Sequence, residues 1–389
     1  MTQTSTPTAG ARPDEVRRHN RTAVLRRLHV DGPCTRAALA TELGLNRSTI
    51  KAVVDGLAES GVVSEHVPRA RTGAGRPSLL VLPRPLAAVV LAVDIRVEQV
   101  AVALVGLGGE VLGRNSWILR AGDPADVLTD VVESARLLTE DLAAQVVGAG
   151  VSIPGVVRRR DGFVHEAPNL RWRDVPLGDR LTAVLGVPTL VANDAEIAAR
   201  AEHLRGAARG TLDAVYVSAD VGVGAGVISD GKILRGTAGY VGELGHMAIN
   251  PAGLACYCGN RGCWETEVGE LALGRALDLP EHTPRGVIMA ALRALPEPRI
   301  DAVLGEFTEW LATGLVTIVN AFAPELVVLG DLFTALPTTV VTAVGRAVTE
   351  RSLVSRAIGG TRVLTSTMGT DAKLIGAAEL AFEPVLDTV

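Results

Sequence analysis

Apolar positions in the first sixty residues recur at helical spacing, and beyond residue 85 they gather into continuous runs. Residues 13–30 read as a helix with Val16, Val24, Leu25 and Leu28 on one face, ended by Asp31-Gly32-Pro33. Thr35 is a natural N-cap for a short helix carrying Ala38, Leu39 and Leu43, Gly44 supplies a turn, and Asn46 caps the next helix. There Ile50, Val53, Val54 and Leu57 fall at i, i+3, i+4 and i+7, and Gly61 stops the stripe. Val62 to Glu65 and Leu79 to Leu82 then flank a basic, glycine-rich tip from Arg69 to Pro77, which predicts strand, tip and strand.

Pro83-Arg84-Pro85 reads as a short stiff linker, after which the pattern changes. Leu86 to Val93 is a buried strand ending at Asp94, Gln99 to Val105 is a second, and Gly108-Gly109 turns it into Glu110-Val111-Leu112. Residues 123–144 form a helix through Val127, Val131, Ala135, Leu138 and Leu142, followed by a strand from Val146 to Ile153 closed by Pro154-Gly155. Strand, helix, strand in this order predicts a mixed α/β fold. Leu190-Val191-Ala192 ends another strand, with Asn193-Asp194 at the edge where open α/β sheets bind ligands, and a helix runs from Ala195 to His203. Further strands are expected at 214–218 and 324–331, and a C-terminal helix at 371–380 with Leu374, Ile375 and Ala378 for packing. Gly222, Gly224 and Gly226 would let backbone amides approach an anion or a sugar, or would mark a bulge.

Length and charge divide this plan. A chain of 389 residues with 48% hydrophobic and 21% charged residues is globular and long enough for two or three domains. Its longest apolar run, Leu86 to Val93, falls far short of the roughly 18–20 residues of a membrane span, and residues 1–10 lack a signal-peptide core, so a cytoplasmic protein without a membrane partner is expected. The net charge of −5 hides an asymmetry: Ala11 to Leu80 carries twelve Lys and Arg against seven Asp and Glu, hence +5, leaving −10 for the rest. The basic segment predicts a polyanion partner, and turn, polar helix start and basic tip in this order predict a winged helix-turn-helix over 11–82 on double-stranded DNA. Asn46, Arg47, Ser48, Thr49 and Lys51 would reach base edges, with Arg47 matched to guanine. Thr35 and Arg36 at the preceding helix start, and Arg71 and Arg76 on the tip, are the other candidate DNA contacts. A plain helical hairpin with a solvated loop is the competing reading.

Three of the four cysteines, Cys256, Cys258 and Cys263, lie within eight residues, and His246 precedes them by ten. Three thiols and an imidazole make a complete tetrahedral zinc set, with Gly259 and Gly262 allowing the tight turns between them. Four protein ligands leave no open position, so the zinc is expected to be structural. Cys34, outside the cluster, reads as an ordinary buried thiol. Asp194 is either a base for a substrate hydroxyl or a helix cap, and position alone does not choose.

The order of these motifs resembles the ROK family of repressors and sugar kinases, from about residue 13 to 382. H-x9-C-x-C-G-x-x-G-C-x-E from His246 to Glu265 is the most specific match; G-V-G-A-G at 222–226, E-L-G-H at 243–246, N-D-A at 193–195 and P-E-L-V-V-L-G at 324–330 match other blocks. The winged helix places the resemblance with the family's transcriptional regulators. The resemblance implies a mainly α winged helix-turn-helix, followed over 86–389 by a two-lobed α/β fold of the actin-like sugar kinase (ribonuclease H-like) type. It implies a zinc-binding loop at 246–263, zinc on His246, Cys256, Cys258 and Cys263, and sugar contacts from Asn193, Asp194, Glu243, His246 and Glu265. Family kinases carry a D-x-G-G-T-like loop after the first strand, where this chain has Asp94-Ile95-Arg96-Val97-Glu98, without the glycines and with a carboxylate that repels phosphate. Asp331 also follows Gly330 where another glycine is common. These departures predict no ATP cofactor and no phosphoryl transfer, with Asp194 kept as a sugar ligand at a vestigial general-base position. The expected protein is a repressor of carbohydrate genes that responds to a sugar or sugar phosphate and binds a palindromic operator as a homodimer or homotetramer. An ATP-dependent hexose kinase with an appended DNA-binding domain is the alternative.

Overall fold

A computed structural model of the chain describes residues 13–67, 79–119, 122–140, 142, 144–281 and 283–388. The N-terminal stripes close on one another. Helix α1 (Pro13–Asp31), strand β1 (Cys34–Thr35), helices α2 (Arg36–Glu42) and α3 (Arg47–Glu59), and strands β2 (Val63–His66) and β3 (Leu80–Pro83) bury Val24, Leu25, Leu28, Leu39, Ile50, Val54, Leu57 and Val81 in one core. Val16, expected on that face, is 45% exposed because the first turns of α1 run past the core. Both caps form: Thr35 Oγ1 accepts from the Ala38 amide at 3.2 Å and Asn46 Oδ1 from the Thr49 amide at 2.8 Å. The strands form an antiparallel sheet in the order β1-β3-β2, in which β1 was not foreseen. The tip, with Arg71 and Arg76, lies outside the described residues.

The stretch expected to be a linker is packed instead. Arg84 donates its amide to Val62 O at 2.9 Å, Pro85–Ala87 forms a 3-10 turn, and the following strand starts at Val89 rather than Leu86. The core of the N-terminal segment runs on without a break through Ala88 and Val90 to Phe382 and Val385.

The first lobe comprises β4 (Val89–Ile95), β5 (Gln99–Gly106), β6 (Val111–Ile118), α4 (Pro124–Thr139), β7 (Val146–Ile153), β8 (Val156–Arg158), β9 (Phe163–Ala167), β10 (Trp172–Pro176), α5 (Leu177–Leu185), β11 (Thr189–Asn193) and α6 (Asp194–Arg205). Its main sheet is ordered β11-β7-β4-β5-β6, with β11, β7 and β4 parallel, and β8, β9 and β10 form a small separate sheet. Alternation along β4 sets the two faces: Val89, Leu91, Val93 and Ile95 pack with α4 and α5 residues, while Val90 and Ala92 share a core with Leu374, Ala377 and Ala381.

The second lobe comprises β12 (Ala214–Ala219), β13 (Val223–Ser229), β14 (Lys232–Ile233), α7 (Trp264–Val268), α8 (Glu270–Ala276), α9 (Arg285–Arg293), α10 (Ile300–Phe322), β15 (Leu326–Asp331), α11 (Thr338–Arg351), α12 (Leu353–Ala357) and β16 (Arg362–Thr365); α13 (Ala372–Val385) ends the chain. The sheet order is β14-β13-β12-β15-β16. Glu297–Phe322 is the one helical span among the described residues long and apolar enough to cross a membrane. Leu304, Phe307, Leu311, Leu315 and Ile318 are buried within this lobe's core, which accounts for its apolarity.

Helices α6 and α13 pack against each other, α13 on strands of the first sheet and α6 on strands of both sheets. A helix so placed is apolar on several sides rather than one, and α6 buries seven of its twelve residues. At Gly150 a side chain would overlap the Ala377 carbonyl, so the close seating of α13 on β7 depends on that glycine.

Candidate functional site

The C-terminal ends of β4, β11, β12 and β15 converge on a cleft between the lobes. Asn193, the last residue of β11, caps α6: its Oδ1 accepts from the amides of Ala195 (2.9 Å) and Glu196 (3.3 Å), and its Nδ2 donates to Gly155 O at 3.0 Å. The capping role therefore falls to Asn193 and leaves Asp194 free to face the cleft, with one Asn193 amide hydrogen still available. Across the cleft stand Glu243, His246 and Glu265, and the cavity they share with Asn193 and Asp194 has a volume of about 80 Å³. All five expected sugar-contact residues line this one cavity, joined by Tyr257, Asp220 and Arg96, which sequence reading had not assigned to it. Glu243 is recessed in the wall yet 45% exposed, and its pKa is raised by partial desolvation, which His246 opposes and the neighbouring Asp194 and Glu265 carboxylates reinforce.

Gly222, just before β13, and Gly224 and Gly226 within it serve the packing. Side chains at Gly224 and Gly226 would press on Ala195 and Ala199 of α6, so these residues seat the helix, whereas the absence of a side chain at Gly222 leaves room for the Glu265 carboxylate. Val223 donates its amide to Glu265 Oε2 at 3.4 Å.

Below Glu243 and Glu265 the sulfur and nitrogen atoms of His246, Cys256, Cys258 and Cys263 all lie within 4.8 Å of one another. Cys258 Sγ is 3.6 Å from Cys263 Sγ, and Cys256 Sγ is 3.6 Å from His246 Nδ1. Ligands bonded to zinc at about 2.3 Å in a tetrahedron stand about 3.8 Å apart, so the donor set fits such an ion. His246 turns Nδ1 toward the thiols and Nε2 toward Tyr257 Oη, 3.1 Å away, so the ring presents one nitrogen to each side. Glu265 Oε1 lies 2.9 Å from Cys256 Sγ, which ties a cleft carboxylate to the cluster. Trp264, fully buried between the last cysteine and Glu265, donates to Trp310 O at 3.0 Å and anchors the loop in the second lobe.

The phosphate side of the cleft departs furthest from expectation. Arg96, met in the sequence only as bulk in place of glycine, binds Asp94 Oδ2 at 2.5 Å and the Thr370 carbonyl. Lys373, passed over as one residue of a packing helix, is 1% exposed, with Nζ 2.7 Å from Asp194 and 3.0 Å from Asp331. Burial works against its charge, but Asp194 and Asp331 outweigh that and raise its pKa. Burial likewise opposes ionisation of Asp331, yet Lys373 and the Ser218 hydroxyl hold its carboxyl below the usual range.

In the N-terminal helical segment, Arg47 and Ser48 are exposed at the start of α3 beside the cap Asn46, with Thr49 half-buried. Lys51 pairs with Asp55 at 2.5 Å. Arg36 is held by Asp55 and Glu65 at 2.6 and 2.5 Å, which fastens α2 to α3 and β2, and Thr35 Oγ1 serves as the helix cap.

Fold and site together define a two-lobed α/β protein of the sugar-kinase type preceded by a helix-turn-helix segment. A model of the ROK family matches residues 90–383, and the chain belongs to that family. It is similar to the xylose repressor of Bacillus spizizenii, 29% identical over 378 residues that cover 96% of this chain and 97% of that one. It is also similar to the glucokinase of Streptomyces coelicolor, 30% identical over 319 residues, 76% of this chain and 98% of that one. Among solved structures, a ROK family transcriptional regulator described as a homologue of E. coli Mlc matches with a TM-score of 0.78 at 26% identity, over 96% of this chain and 97% of that one.

Proposed function

We propose that the protein is a sugar-responsive transcriptional repressor of the cytoplasm. The observation that carries this reading is α13, which places Lys373 in the cleft and, six residues on, Glu379 beneath the helix-turn-helix segment. Glu379 accepts from His29 Nε2 at 3.2 Å and from Arg205 Nε at 2.7 Å, and Arg205 donates to the carbonyls of His29 and Val30 at the end of α1. One buried helix thus touches both the ligand side and the DNA side, the physical requirement for a ligand to bias how the winged helix is held. The repressor relatives match almost the whole chain, winged helix included, and several are named for xylose, which supports a sugar as effector.

Asn193, Asp194, Glu243, His246 and Glu265 hold the sugar hydroxyls as fixed donors and acceptors at several angles. Zinc on His246, Cys256, Cys258 and Cys263 supplies a structural clip that sets Glu243 and Glu265 in place. Asn46, Arg47, Ser48, Thr49 and Lys51 enter the major groove of a palindromic operator, read by a homodimer or homotetramer, with Arg71 and Arg76 on the wing. Arg47→Ala is expected to weaken discrimination at one base pair by roughly 1–3 kcal/mol while non-specific binding changes less. Binding titrations on single-base operator variants at fixed salt measure this, and unchanged preference at every position would remove Arg47 from the interface. The reading as a whole is tested by titrating upstream DNA with and without pentoses and hexoses, and no sugar-dependent specific binding would overturn it.

Because glucokinases are also relatives, the second reading is an ATP-dependent sugar kinase with a DNA-binding appendage. A coupled ADP-release assay over a hexose panel is expected to give no turnover above background. Turnover that Asp194→Asn abolishes would establish the kinase instead.

A further inference from the structure

Three carboxylates converge on the Lys373 ammonium from both lobes. Asp194 Oδ2 at 2.7 Å begins α6 in the first lobe, while Asp331 Oδ2 at 3.0 Å and Asp220 Oδ2 at 3.5 Å stand at the ends of β15 and β12 in the second. A fourth, Asp94, is 1% exposed at the end of β4; its Oδ2 binds Arg96, but its Oδ1 is buried without a hydrogen-bond partner. Asp331 sits at φ 48° and ψ −119°, backbone that glycine adopts freely and other residues rarely do. That conformation persists because its carboxylate is held by Ser218 at 2.5 Å and by Lys373.

Carboxylate oxygens gathered from several strand ends around one point are the ligand set of a hard divalent cation such as Mg²⁺ or Mn²⁺. A lysine ammonium is a compact point charge with three donors, so it satisfies the same oxygens without the ion. It comes from α13, which packs on the first lobe, and reaches carboxylates of the second, so it also ties the lobes together. We propose that Lys373 is a built-in substitute for a divalent cation: its ammonium occupies a latent metal position made by Asp194, Asp220 and Asp331, near the buried Asp94, and so determines that the cleft accepts an uncharged sugar without a metal-bound phosphate. The inference deepens the repressor reading, but its test involves neither DNA nor sugar, so either can fail without the other.

The test is thermal unfolding of the full zinc-loaded chain, wild type and Lys373→Met, in Mg²⁺ or Mn²⁺ against sodium at equal ionic strength. The wild type is expected to shift by less than about 1 °C with either cation. Lys373→Met removes the charge at similar length and is expected to lose roughly 5–10 °C in Tm in sodium, with at least half recovered in millimolar Mg²⁺ or Mn²⁺. Adding Asp331→Gly, which removes one ligand and relaxes the backbone, is expected to weaken that cation response at least tenfold. A Lys373→Met protein that is unresponsive to both cations, or a wild type that responds equally, overturns the proposal. If Lys373→Met does not fold in sodium, it is expected to fold when refolded with Mn²⁺, and failure there counts against the proposal equally.

Discussion

Cys263→Ser is expected to release the bound zinc and to abolish measurable sugar binding. Cys263 is fully buried, pairs with Ala248 in an isolated bridge, and is followed directly by the anchored Trp264. A serine hydroxyl is a far poorer zinc ligand than a thiolate, and it is placed where no water replaces it easily. Structural zinc sites contribute on the order of 10 kcal/mol or more to folding their loops, so loss of one ligand in four lowers affinity by roughly 10²–10³-fold or beyond. Glu243, His246 and Glu265 reach the cleft from either end of this loop, so loosening it would remove three of the five proposed sugar contacts together. The check is zinc content by elemental analysis, paired with calorimetric titration of the best sugar, and Cys34→Ala serves as control. Cys34 is buried in the winged-helix core, outside the cluster, so that variant should keep both zinc and sugar affinity. A Cys263→Ser protein that retains sugar affinity would separate the cluster from the cleft.

The local features were legible in the sequence. Thr35 and Asn46 declare their caps because an N-cap is decided by a few adjacent residues. The Cys3His cluster declares itself because its four sulfur and nitrogen donors lie within eighteen residues. What escaped depends on residues far apart. Lys373 looks like one cation in a packing helix until Asp194, Asp220 and Asp331 are brought around it. The repeated glycines from Gly222 to Gly226 fit an anion nest and a helix seat equally, and only the position of α6 decides. The sequence pattern assigns no element to residues 267–323, and the structure places α8, α9 and α10 there. Asp331 was noticed as a departure from glycine, but its strained backbone and its partner were not.

Glu379→Ala is expected to destabilise the protein by about 3–5 kcal/mol, and the gentler Glu379→Gln to cut the effect of sugar on operator affinity. Glu379 is 3% exposed, and its removal leaves the Arg205 guanidinium and the His29 ring, itself fully buried, without their acceptor. Gly108 donates its amide to His29 Nδ1 at 2.9 Å, which assigns the remaining ring hydrogen to Nε2 and directs it at Glu379. The Phe382 ring, 4.3 Å from that of His29, holds it from the next turn of α13. Burial opposes ionisation of Glu379, but His29 and Arg205 together keep its carboxyl below the usual range. The sign follows: a depressed folded pKa contributes stability that is present above the unfolded value, about 4.3, and is lost as pH falls through the folded one. The stability gap between wild type and Glu379→Gln should therefore be full at pH 6 and shrink below about pH 4. An allosteric coupling typically amounts to about 1–3 kcal/mol, or 5–150-fold in affinity. In Glu379→Gln the ratio of operator affinities without and with sugar should fall toward one, while affinity for the operator alone stays near wild type. Fluorescence anisotropy on labelled operator measures both quantities, and an unchanged ratio would mean that the signal leaves the cleft by a route other than α13.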